Sequence, residues 1–141
     1  MNRRVVDRLA SDIAPDLLEC LRTQVNTFVK WDLVNFFHRN PYTIDTTDGI
    51  ARHIGRNARA IGDDLAALAD GGILVAHNYD GLTAYSYSDD ADVRNRMQRL
   101  VEASNDRLFR TQAAFQVIRA MRAAESSAAL DVGTAIGHGD E

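Results

Sequence analysis

Cysteine, proline and lysine are nearly missing from these 141 residues: one Cys, two Pro, and a single Lys among sixteen cationic side chains. A lone Cys20 excludes an intramolecular disulfide and any thiolate zinc cluster. It sits in "PDLLECLRTQV", beside Leu17, Leu18 and Leu21, and reads as a buried thiol rather than a redox sensor. With only Pro15 and Pro41 to interrupt it, the chain keeps long segments open to helix. No apolar run approaches the roughly 18 to 20 residues that a membrane span needs. The start, "MNRRVVDRLASDIAPD", is amphipathic and lacks an apolar signal core, so a cytoplasmic protein away from membranes is expected.

Catalytic patterns are missing as well. His38, His53, His77 and His138 are scattered, with no partners at ligand spacing. There is no phosphate-cradling glycine loop, no nucleophile with an adjacent base and no paired buried carboxylates. The reading is a protein without enzymatic activity, cofactor or metal. Net charge is −4, against the basic balance of most dedicated DNA-binding domains. Distribution therefore matters more than the total. Fifteen of the cations are Arg, the residue suited to forked pairing with carboxylate, phosphate or guanine.

What is present is periodic. Apolar residues from Val5 to Val25 recur every three or four positions, predicting helix over residues 3 to 26 with a break near Ala14 and a restart at Pro15. "FVKWDLVNFFHRN" predicts a second helix, ended by Asn40-Pro41. "YTIDT" is short and β-like; Asp45 or Thr46 can cap a helix through "TDGIARHI", Gly55 turns the chain, and Asn57 caps "ARAIGDDLAALAD". The period then shortens to two around Asp80-Gly81, a strong hairpin signal. Ser88 is expected to cap one long helix to about Ala124, at about 1.5 Å per residue roughly 50 Å long. Along it Met97, Val101, Ser104, Leu108, Thr111, Phe115, Ile118 and Arg122 repeat like a heptad. Beyond Glu125 a small, polar, flexible tail is expected.

The stretch "TTDGIARHIGRNARAIGDDLAALADGGILVAH" resembles the winged helix-turn-helix domain, especially that of MarR-like bacterial regulators. The resemblance implies a mostly helical α+β fold. Residues 28–88 form the winged domain, 1–27 an N-terminal helical extension, 89–124 a long dimerisation helix and 125–141 the tail. It implies a DNA-binding transcriptional regulator whose second motif helix enters the major groove. Carried over by position, the readers are Arg56, Asn57 and Arg59, with Arg52 and His53 on the backbone. The wing tip is His77, Asn78 and Tyr79. The long helix would pair with a second subunit through Met97, Val101, Leu108, Phe115 and Ile118, placing two reading helices at a fixed spacing on double-stranded DNA.

Two features stand against that reading. Between residues 28 and 88 five cations face seven carboxylates, with Asp63 and Asp64 one turn beyond Arg59. The wing tip, "HNYDGL", carries neither Arg nor Lys. The competing reading makes Asn57 only a helix cap, and Arg56 and Arg59 solvated surface. The rival class is a protein-interaction adaptor with a winged-helix scaffold, its Arg-rich last helix meeting an acidic protein partner. A small-molecule effector pocket near Trp31, Phe36 and Phe115 is a third reading, set against those aromatics being core.

Overall fold

Pro15 opens the first helix where the sequence places the break. The computed structural model describes residues 13–139, with side chains described through residue 128; apart from Ile13, the helix expected before Ala14 lies outside the described residues. Helix α1 (Pro15–Thr23) carries Pro at its first position, where a missing N–H costs nothing, and buries Leu17, Cys20 and Leu21. Helix α2 (Phe28–Arg39) is capped by Thr27, whose Oγ1 accepts the Lys30 N–H at 3.0 Å and donates to Asp64 Oδ1 at 3.0 Å. It stops at Asn40, before Pro41, as the steric restriction on a residue preceding proline requires.

Strand β1 (Ile44–Thr46) leads directly into α3 (Thr47–Ile54), capped by Thr46. Helix α4 (Ala58–Asp70) follows a three-residue turn. Strands β2 (Leu74–Tyr79) and β3 (Leu82–Tyr87) form the hairpin, turning at Asp80-Gly81, both with positive φ. The sheet is antiparallel in the order β1-β3-β2, with Ile44 opposite Ser86 and Leu74 opposite Tyr87. Alternation along these registers sends Leu74, Tyr85 and Tyr87 into the core. The core joins them to Leu33, Val34 and Phe37 of α2, Ile50 and Ala51 of α3, and Ile61, Leu65 and Leu68 of α4. Six helices and this small sheet, among the described residues, make a mostly helical α+β fold of winged-helix type.

The last helical region differs from expectation in four ways. Ser88 does not cap a helix; its Oγ accepts the Asp90 N–H at 3.1 Å, and Asp90 is the cap, accepting from the Val93 N–H at 3.0 Å. The expected single helix is two, α5 (Ala91–Ala103) and α6 (Arg107–Gly139). Ser104 bonds back to the Leu100 carbonyl at 2.7 Å, and the Asp106 carboxylate accepts from the N–H groups of Leu108 and Phe109 at 3.4 and 3.3 Å, so the "SND" cluster ends one helix and starts the next. Helix α6 continues to Gly139 through the segment expected to be a tail, which holds no Pro to stop it. Lastly, Met97 is fully buried in this chain's own core, because α5 packs on α2, and is thereby removed from any subunit interface.

Helix α6 lies along α1, burying Phe109, Ala113 and Val117. Arg99 of α5 ties α1 down through Asp16, at 2.6 and 3.0 Å; those hydrogen bonds and the guanidinium charge hold the Asp16 carboxyl below its ordinary range.

Cys20, 2% exposed between these elements, has its thiol pushed up to about 11 by burial. An ordinary thiol titrates near about 8.5, so between the two values the unfolded chain loses its proton first. The stability this contributes is complete below the lower value and lost as pH rises through the upper one. At pH 8 the native protein should react with a disulfide reagent at least ~100-fold more slowly than a free thiol, and urea should restore the full rate. Fast labelling of the native protein at pH 8 would show Cys20 to be accessible.

Candidate nucleic-acid interface

The corner between α3 and α4 is built by backbone geometry. Gly55 ends α3 in the left-handed region at φ 71°, where a side chain would be strained. The Arg56 N–H then donates to the Ala51 carbonyl at 3.0 Å, closing the last turn. Asn57 caps α4, its Oδ1 accepting the Arg59 N–H at 2.9 Å. This is a helix-turn-helix, with Arg59 and Ala60 exposed on the first turn of the second helix.

The five residues singled out by sequence share this corner but differ in what holds them. Arg52 and Arg59 are exposed, and among the described residues neither side chain has a hydrogen bond or ion pair. His53 stacks on Phe36, ring centroids 5.5 Å apart at 25°, with Nε2 3.9 Å from Asp45 Oδ2. Asn57 is occupied as the cap. Arg56 is turned onto α2: its Nε lies 3.0 Å from Asp32 Oδ2, and Nη2 reaches the same oxygen.

The carboxylates are also sorted. Asp64 points to Thr27 at the start of α2 and is spent on the cap there. Asp63 is exposed, as are Ala66, Ala67 and Asp70, so beyond its first turn the outer face of α4 carries acids and small residues. The wing tip offers no cation. His77 Nε2 lies 2.8 Å from Ser86 Oγ, and its ring stacks on Tyr79 at 6.2 Å; Asn78 and Tyr79 are exposed.

Two features escaped the sequence. Asp32 was one charge among seven until the fold placed it beside Arg56, 24 positions along the chain. The outer face of the sheet exposes Ile44, Val75, Tyr79 and Leu82; period-two alternation was the available signal, and the strand pairing was needed to put Ile44 and Val75 on either side of Ser86.

Trp31 and Phe36 are half-buried, and line a cleft of about 590 Å³ between α2, the end of α3 and the α5–α6 turn, together with Arg39, His53, Ser104 and Arg110. Phe115 lies apart, in a shallow groove on α6 with Arg107, Arg110 and Ile118. On that side of α6 Leu108 is 58% and Ile118 37% exposed, while Val101 of α5 packs partly against the core. Of the Arg residues on the last two helices, Arg94 is held over the Tyr87 ring at 4.9 Å and Arg99 by Asp16, which leaves Arg107 and Arg119 among the exposed ones.

Among the described residues no helix is long and apolar enough to cross a membrane, and no group of His, Cys, Asp or Glu is placed to hold a metal ion. No protein-family model matches the chain, and no curated protein matches it. Among solved structures it is similar to a possible transcriptional regulator from Methanosarcina mazei Go1, at 17% identity over 79% of this chain and 86% of that one, with a TM-score of 0.41.

The cap geometry of Asn57 yields a stability test. Asn57→Ala should lower stability by about 1 kcal/mol, and Asn57→Asp or Asn57→Ser should restore most of it, read by thermal or urea unfolding. An unchanged midpoint for Asn57→Ala would remove the capping role.

Proposed function

We propose that this chain is a cytoplasmic, non-catalytic transcriptional regulator of MarR-like type that binds double-stranded DNA through the α3–α4 corner and works as a homodimer. The observation that carries the reading is the placement of Arg52 in the last turn of α3 and Arg59 in the first turn of α4, both free of side-chain partners among the described residues. There the helix dipole favours phosphate, and an Arg fork can meet phosphate or guanine. Asn57 supports the corner as a cap, and His53 stands beside it at the backbone position. The wing adds His77, Asn78 and Tyr79, polar contacts without charge.

A second reading has its own support. The exposed apolar residues on the outer sheet face, and Asp63 and Asp70 on α4, suit a protein-interaction adaptor better than a duplex binder. The two readings separate by salt. With two free Arg per protomer, a dimer binding a labelled random duplex should show a log–log salt slope of about −3 to −4, at about −0.9 per phosphate contact. Arg59→Glu should flatten the slope by about 2 and abolish binding above moderate salt. Binding absent at the lowest salt, or indifferent to Arg59→Glu, would favour the adaptor.

The homodimer is assigned to the apolar stripe of α6 formed by exposed Leu108 and Ile118 and half-buried Phe115, with Val101 at its edge. Sedimentation of the whole chain should give twice the chain mass, and Leu108→Glu/Ile118→Glu should give the monomer with an unchanged circular-dichroism spectrum. A monomeric wild-type chain would overturn this assignment.

A further inference from the structure

We propose that Asp32 is an internal competitor for DNA: it holds Arg56 in an ion pair that duplex phosphate or guanine must break, and so sets the affinity of the corner. The inference rests on the DNA-binding reading. Arg56 occupies the turn itself, between Arg52 and Arg59, where the resemblance puts a reader, yet it is the one cation of the three whose fork is taken. Nε and Nη2 form one of the two guanidinium edges capable of bidentate contact, and both meet Asp32 Oδ2. Asp32 stands on α2, which the Thr27 cap and Leu33, Val34 and Phe37 in the core hold in place. The carboxylate therefore does not travel with Arg56, and the side chain must swing away from α2 to reach a duplex.

Exposure makes that exchange feasible. The two side chains are 37% and 50% exposed, and ion pairs in such positions are weak and screened by salt. Phosphate in a duplex, by contrast, brings counterion release with every cation it recruits. Arg56 is thus available to DNA at a discount in affinity fixed by Asp32. Arg52 and Arg59 bear no such discount, since no acid in the described residues holds either. Asp32 acts through Arg56 and is a positioning residue, so its effect must disappear when Arg56 is gone.

The test is a four-protein cycle, wild type, Asp32→Asn, Arg56→Gln and the double variant, each titrated onto a labelled random duplex across a salt series with its unfolding midpoint measured alongside. Expected is a several-fold tightening by Asp32→Asn at low salt, with the slope steeper by about 0.9 per protomer, and no effect of the same change in the Arg56→Gln background. Tightening that persists without Arg56 would mean general repulsion and overturn the proposal. Unchanged or weaker binding by Asp32→Asn would also overturn it, while loss of binding in Arg59→Glu would leave the DNA reading standing. Absence of binding by both wild type and Asp32→Asn at the lowest salt would overturn the proposal and the DNA reading together.

Discussion

Gly55, at φ 71°, fixes the angle at which α4 leaves α3, and every residue of the candidate interface is positioned relative to that one torsion. An L side chain there would cost on the order of 1 kcal/mol and would reopen the turn that Arg56 and Ala51 close. The other end of α3 is fixed too. Thr46 ends β1 and caps α3 in the same residue, and the Asp45 carboxylate, bonded to the Thr46 N–H at 2.7 Å, lies so close to Gly49 that a Cβ would run into it. Sheet, α3 and α4 are thereby linked end to end by two glycines and two caps. The corner and the wing are also held together by the core they share, α4 packing on β2 and α3 on β3.

Electrostatically the interface is leaner than its residue list and less acidic than its charge count. Of seven carboxylates between residues 28 and 88, Asp64 serves the Thr27 cap, Asp45 the α3 N-terminus and Asp32 the Arg56 pair. Four exposed ones remain, Asp63 and Asp70 on the outer face of α4, Asp48 on α3 and Asp80 at the wing tip. The cations thin out in parallel: Arg56 is engaged, and the wing has none. Two Arg and one helix terminus per protomer cannot match the six to ten phosphate contacts that give strong salt-dependent binding. Such a corner becomes useful when a second copy presents the same pair at a fixed distance, since linked sites multiply affinity without adding contacts.

Local signals were legible in the sequence where the backbone itself decides the outcome. Pro15, Asn40-Pro41, Gly55, Asn57 and Asp80-Gly81 mark helix starts, stops and turns within a residue of where the chain places them, because each acts through its own torsions or its own cap. The α5–α6 break was written there too, in Ser104-Asn105-Asp106, but an apolar repeat running through it from Met97 to Ile118 concealed it. Periodicity ranks spacing and ignores a local side-chain-to-backbone bond that competes with the helix. What could not be read was pairwise and distant. The Arg56–Asp32 pair, the turning of Asp64 toward Thr27 and the shared exposed face of Ile44 and Val75 depend on contacts between elements, which composition and spacing do not encode.

That concealed break has a structural consequence for any assembly. Had residues 89–124 been one helix, Met97 and Ile118 would lie on one stripe, and burial of the first would draw the second toward the same core. The turn at Ser104–Asp106 uncouples them. Helix α5 turns Met97 and Leu100 inward against α2, while α6 begins afresh from the Asp106 carboxylate and packs Phe109, Ala113 and Val117 on α1. Leu108, Phe115 and Ile118 are left on the side that α1 does not cover. An apolar stripe on a helix of 33 residues, about 50 Å at 1.5 Å per residue, is long for a core of this size. On the proposed dimer it is this uncoupling that frees α6 to meet its copy without disturbing the winged core, so subunit pairing and the shape of the reading corner are set by different residues.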